Sequence, residues 1–160
     1  EALRDGKLSL ADKVVSSESA RLQPPSKIGL PLGAEMTVDL ALKALIIKSA
    51  NDVAVMIAEG VAGSLPAFID RMNQTAARLG MTRTKFFNPH GLPHDGQVTT
   101  ARDMAILGQR ILKEFPEWSE LFKMESFKVG NRTLRSHNAL LKTFEGAAQA
   151  GRRRHRRGDK

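Results

Sequence analysis

Between Thr37 and Gly80 three apolar helical periods follow one another with breaks of only a few residues. Leu40, Ala44 and Ile47 recur at helical spacing behind Thr37, a good N-cap residue, with Asp39 in the first turn. That helix is expected to end near Lys48-Ser49. Asn51 and Asp52 are cap-type residues that open a second segment, Val53 to Val61. Ser64 precedes a third, with Phe68, Met72, Ala76 and Leu79 in line and Gly80 as its stop. Such crowding forces tight corners, and the first of them, at Ser49-Ala50-Asn51, is expected to be nearly buried.

Strand material is scarce by comparison. Val14-Val15 suits a short strand, and Gly130-Asn131 between Phe127-x-Val129 and Thr133-Leu134 is a hairpin signal. Residues 18–35, with Pro24, Pro25, Gly29, Pro31 and Gly33, read as an irregular loop, and Asn88 to Gly96 as a turn-rich one. Thr100-x-x-Asp103 resembles a capping box with Asp in place of Glu, opening a helix through Ile106, Leu107 and Ile111 that Pro116 ends. Glu1 to Asp5 reads as the last turn of a helix stopped by Gly6. The expectation is therefore helical material that packs on a sheet supplied by other residues.

Composition removes several kinds of chemistry. Cysteine is absent, so disulfides, thiolate catalysis and Cys-based zinc sites are excluded. No apolar run approaches the roughly 20 residues of a spanning helix. His90 and His94 are four apart, but Pro89 and Pro93 deny them a helix, so no metal site is expected and His90 reads as a loop-shaping residue. The formal net charge is +8, yet Ala147 to Lys160 holds six basic residues and one acid, leaving +3 on residues 1–146. The body gives no electrostatic case for nucleic-acid binding. Residues 147–160 lack apolar periodicity and read as a disordered basic end, and the abrupt switch after Gly146 favours an out-of-frame or artefactual end over a functional tail. Residues 1–146 are then the partial domain.

Ser49-Ala50-Asn51 is the chemical centre. One reading has Ser49 relaying a proton between a nucleophile and a leaving amine while the Asn51 amide holds a substrate amide. The other has Asn51 or Asp52 as a helix cap and Ser49 as an ordinary helix end. The surrounding sequence bears on the choice. Leu45 to Ala54 closely resembles the second motif of the D-alanyl-D-alanine carboxypeptidases, the low-molecular-mass penicillin-binding proteins. The likeness continues through Phe68-Ile69-Asp70-Arg71-Met72-Asn73, Thr84-Lys85-Phe86, Asn88-Pro89-His90-Gly91-Leu92, Thr100 to Ala105 and Asn138-x-Leu140-Leu141.

The resemblance implies an α+β, penicillin-binding-protein/β-lactamase-like transpeptidase fold, of which this chain covers mainly the helical lobe. It implies a serine peptidase that removes the terminal D-alanine of the peptidoglycan pentapeptide through an acyl-enzyme, without a cofactor. A Ser-x-x-Lys serine attacks, Ser-x-Asn assists, and a Lys-Thr-Gly lysine binds the terminal carboxylate. Penicillins mimic the dipeptide and trap the intermediate. Ser49 and Asn51 match Ser-x-Asn, as catalytic residues, Asn51 also contacting substrate. No serine here has lysine three positions on, and Lys142-Thr143-Phe144 lacks the glycine of the third motif. This chain alone is therefore expected to be inactive. The complete protein is expected outside the cytoplasmic membrane, attached to it only through segments absent here. Two alternatives stay open: a related D,D-endopeptidase, and a non-enzymatic module whose basic tail engages anionic polymer.

Overall fold

The computed structural model describes residues 1–138 and 141; the basic end from Ala147 to Lys160 and Lys142-Thr143-Phe144 lie outside the described residues, as does most of the Leu140 stretch. Strand β1 (Lys13–Val15) pairs antiparallel with β2 (Glu35–Thr37), Val14 opposite Met36. The segment between them was expected to be irregular throughout. It carries instead a one-turn helix, α1 (Glu18–Arg21), because the Ser17 hydroxyl accepts from the Ala20 N–H. Four longer helices follow: α2 (Val38–Lys48), α3 (Asn51–Ala62), α4 (Leu65–Arg78) and α5 (Ala101–Glu114). A 3-10 helix over Pro116–Lys123 leads to a hairpin of β3 (Ser126–Val129) and β4 (Arg132–Arg135), turning at Gly130 with φ 55°. Thr37, Ser64 and Thr100 cap α2, α4 and α5 through their hydroxyls.

Helix α3 is the centre of the molecule. Val53, Val55, Met56 and Ala58 have no exposed surface, and α1, α2, α4 and β1 pack around them. A helix apolar on all sides has to be enclosed in this way. Gly60 shows how close the approach is, since a Cβ there would stand 2.8 Å from Cγ1 of Val14. Alanine would gain roughly 1 kcal/mol of helix propensity. Val14 is buried and β-branched, so it has little freedom to turn aside. Overpacking at about 1–3 kcal/mol outweighs the gain. Gly60→Ala is expected to lower stability by about 1–2 kcal/mol, read as a lower urea midpoint at unchanged slope.

The segment after α4 is fastened from two helices. The Asn73 carboxamide donates to the Phe86 carbonyl at 2.9 Å and accepts from the Phe86 N–H at 2.8 Å. At the start of α5 the expected capping box is half made. Thr100 caps Asp103, but the Asp103 carboxylate turns away and accepts from the Arg83 N–H at 2.9 Å and the Thr84 hydroxyl at 2.7 Å. The Thr84 hydroxyl, with the Arg83 N–H, holds this carboxyl below the usual carboxylate range. Its contribution to stability is therefore complete above the ordinary aspartate value, about 4, and is lost as pH falls toward the lowered one. Denaturation midpoints measured from pH 7 down to pH 3 should fall less steeply in Asp103→Asn than in the parent chain.

An apolar groove of about 350 Å³ opens among α2, α3, α4 and α5, walled by Leu42, Ile57, Val61, Phe68, Met72 and Leu107. No single helix among the described residues is long and apolar enough to cross a membrane.

Candidate active site

Two helices that meet within two residues need an abrupt change of backbone direction, and Ser49 supplies it. Ser49 follows α2 with φ 54° and ψ 47°, and it is the one non-glycine residue with positive φ among the described residues. An L-residue with a side chain pays for this conformation, and glycine is the usual occupant after a helix. Ala50, fully buried, is the N-cap of α3 and offers no side-chain bond. The cap role considered for Asn51 and Asp52 is thus not what their side chains do. Both side chains point instead to the loop at 24–29.

That loop is stitched to the corner from both sides. The Asn51 N–H donates to the Ser26 carbonyl at 2.8 Å, and its Nδ2 to the Pro24 carbonyl at 3.0 Å. The Ser26 hydroxyl donates to the Lys48 carbonyl at 2.9 Å. Asp52, 2% exposed, accepts from the Ile28 N–H at 3.1 Å and the Gly29 N–H at 2.9 Å, and from Val53 in its own helix. Arg132 of β4 adds a bond to the Ile28 carbonyl at 3.2 Å. Ser49 is therefore flanked by residues that hydrogen bonds hold in place.

What is left unbonded is informative. The corner was expected to be nearly buried; Ala50 and Asn51 are, but Ser49 is exposed. Its hydroxyl makes no hydrogen bond among the described residues. Because Pro24 accepts from Nδ2, the orientation of the Asn51 carboxamide is fixed, and Oδ1 has no partner among the described residues. Among those residues no fully buried side-chain oxygen or nitrogen lacks a partner. Asn51 Oδ1 therefore reaches solvent. A hydroxyl and an amide oxygen, both unbonded among the described residues, thus share one corner, able to pass a proton and to accept from an amide N–H.

His90 and His94 lie elsewhere in role. His90 Nδ1 accepts from the Leu92 N–H at 3.4 Å, and burial pushes its pKa below the ordinary histidine value. The His94 ring stacks on Phe87 at 4.4 Å. Both serve the loop, and no group of three metal-ligating side chains occurs among the described residues. Sequence reasoning missed the docking of the loop at 24–29 on the corner, the use of Asp52, and a contact between Lys48 and His137. Prolines had marked the loop, but nothing in the pattern pairs residues 24 to 29 with residue 52.

Residues 1–149 match the family model described as D-alanyl-D-alanine carboxypeptidase, Peptidase_S11. A D-alanyl-D-alanine carboxypeptidase of Bacillus subtilis, DacF, is 44% identical over 113 residues, 71% of this chain and 29% of its own length. Among solved structures, penicillin binding protein 5 from Haemophilus influenzae aligns with a TM-score of 0.83 at 34% identity, covering 88% of this chain and 42% of that one. Penicillin-binding protein D2 from Listeria monocytogenes, in its cefotaxime-bound form, aligns at 0.77 with 28% identity over 91% of this chain and 60% of that one. The chain thus spans less than half the length of the Bacillus and Haemophilus proteins. Its fold is the mixed helix-and-strand fold of the penicillin-binding proteins, of which it carries the helical lobe.

Proposed function

The chain belongs to the D-alanyl-D-alanine carboxypeptidase family, and on that premise we propose that it supplies the Ser49 and Asn51 side of a serine-peptidase site that removes the terminal D-alanine from peptidoglycan stem peptides. The nucleophile and its lysine come from sequence that this chain does not contain. In the complete enzyme the activated serine adds to the carbonyl between the two D-alanines. The Ser49 hydroxyl passes a proton to the departing amine, and its own proton is replaced from the amine that activated the nucleophile. Asn51 Oδ1 accepts the N–H of the substrate amide and aligns the carbonyl for attack. Water then releases the acyl group. β-Lactams enter by the same route, and the enzyme works on the cell wall, outside the cytoplasmic membrane.

One observation carries this reading. Ser49 stands in a backbone conformation that costs about 1–3 kcal/mol for a residue with a side chain, with its hydroxyl exposed and unbonded among the described residues. A merely structural corner would be served better by glycine. The test is fluorescent penicillin labelling. The purified 160-residue chain is expected to take no covalent label and to release no D-alanine, while a protein that joins it to a Ser-x-x-Lys helix and a Lys-Thr-Gly strand is expected to do both. Label mapped to a serine of the 160-residue chain would overturn the division of roles.

A further inference from the structure

Two Asp-Gly pairs occur in the chain, Asp5-Gly6 and Asp95-Gly96. In such a pair the glycine nitrogen can attack the aspartate side chain, because no Cβ on the second residue stands in the way. Both aspartates are exposed, so exposure does not tell the two apart. Their glycine N–H groups do. The Gly6 N–H donates to the Leu3 carbonyl at 3.2 Å, an oxygen with little basicity. The Gly96 N–H donates to Nδ1 of His94 at 3.1 Å. A backbone N–H only donates, so Nδ1 is the unprotonated nitrogen of the ring and the ring hydrogen sits on Nε2. A general base thus already holds the proton that ring closure has to remove.

The surroundings of the two pairs differ in the same sense. Asp5 pairs with Arg4, Oδ1 to Nε at 3.1 Å, and has to give up that partner before its carboxyl carbon can be attacked. Asp95 forms no ion pair among the described residues. The His94 ring is kept beside Gly96 by stacking on Phe87, 4.4 Å between centroids and 10° from parallel. Phe87 also closes on Gly96, where a Cβ would stand 2.7 Å from Cε2. One turn, closed by the Gln97 N–H on the His94 carbonyl at 2.9 Å, carries the acid, the amide and the base.

We propose that Asp95-Gly96 is a site of self-modification, at which His94 assists the isomerisation of Asp95 to isoaspartate. The Gly96 nitrogen bonds to Cγ of the protonated Asp95 carboxyl, and its proton passes to Nδ1. The bond from Cγ to the hydroxyl breaks, and the hydroxyl takes a proton back from the imidazolium and leaves as water. Water then opens the succinimide ring at either carbonyl. Attack at Cγ returns aspartate, and attack at the main-chain carbonyl gives isoaspartate. The water lost is regained, so the step needs no other reactant. The main chain becomes one carbon longer two residues before Gln97, whose Oε1 accepts from the Phe87 and Asn88 N–H groups at 3.0 and 3.1 Å. The modification therefore acts on the clamp of the turn-rich loop.

The experiment incubates the full 160-residue chain in warm neutral buffer and measures isoaspartate at residues 5 and 95 by peptide mass spectrometry with electron-transfer fragmentation. Asp5 is the internal reference. Residue 95 is expected to isomerise roughly fivefold faster than residue 5, a modest share of the 10²–10⁴-fold that a placed base supplies inside an enzyme. The excess should shrink toward parity in concentrated urea. It should also vanish in His94→Asn, whose Oδ1 still accepts the Gly96 N–H as a turn acceptor but is no base, and in His94→Phe, which keeps a ring to stack on Phe87. Both variants replace an exposed side chain, and the Asp5 rate and far-UV spectrum should stay unchanged in each. An excess that survives either variant overturns the role of His94. An excess unchanged in urea belongs to the local sequence and overturns it equally, as does a residue 95 no faster than residue 5 in native buffer.

Discussion

Ser49→Gly is expected to make the chain more stable and the complete enzyme far slower. The stability gain follows from the backbone. Ser49 sits at φ 54°, where glycine loses the strain of a side chain but adds freedom to the unfolded chain. The two effects oppose each other, and with a hydroxyl exposed and unbonded among the described residues no hydrogen bond to them is sacrificed. A net gain of about 0.5–1 kcal/mol is expected, the relieved strain of about 1–3 kcal/mol less the entropy that glycine adds to the unfolded chain. The activity loss follows from the missing hydroxyl. Proton transfer by a placed side chain contributes about 10²–10⁴-fold, and acylation by penicillin should slow by that order. Urea melts of the chain and stopped-flow acylation of the complete enzyme read the two effects separately. Ser49→Ala gives the control, with the same loss of rate and no relief of strain. A glycine variant that is both unchanged in stability and fully active would remove Ser49 from the mechanism.

The helices were legible because each signal was local. Thr37, Ser64 and Thr100 cap as their positions suggest, and Gly80 follows α4 in the left-handed conformation. The hairpin at Gly130-Asn131 was equally legible from its turn. What stayed hidden was long-range. Asp52 looked like a cap because aspartate usually caps, yet its partners lie 23 and 24 positions away. Asp103 looked like the acidic end of a capping box, but its oxygens serve residues about 20 positions earlier. A buried carboxylate goes wherever unpaired backbone N–H groups are, and one sequence does not say where that will be. The same limit applied to Ser49: spacing placed it at a corner, while its exposure depends on how the loop at 24–29 folds around it.

Asp52 should therefore be the costliest polar side chain to remove. Its oxygens accept from Ile28, Gly29 and Val53 in a position with almost no exposed surface. Asp52→Ala leaves two loop N–H groups without a partner, at about 1–3 kcal/mol each, and loses a negative charge in the first turn of α3. Relaxation of the loop toward water recovers part of this, so a loss of about 3–4 kcal/mol is expected. Asp52→Asn keeps the shape and one accepting oxygen but turns an NH₂ toward a donor, and should cost roughly half as much. The order parent, Asn, Ala in urea midpoint is the first readout. Hydrogen exchange is the second, because freed Ile28 and Gly29 amides should exchange faster while those in the middle of α4 change only with global stability. The consequence for chemistry comes through the loop. Pro24 and Ser26 hold the Asn51 amide and the Lys48 carbonyl on either side of Ser49. Once Ile28 and Gly29 are released, both flanks of the corner lose their anchor. In the complete enzyme, Asp52→Asn should then slow acylation even at temperatures where the variant is fully folded. An Asn variant as stable and as fast as the parent would show that the loop holds the corner without Asp52.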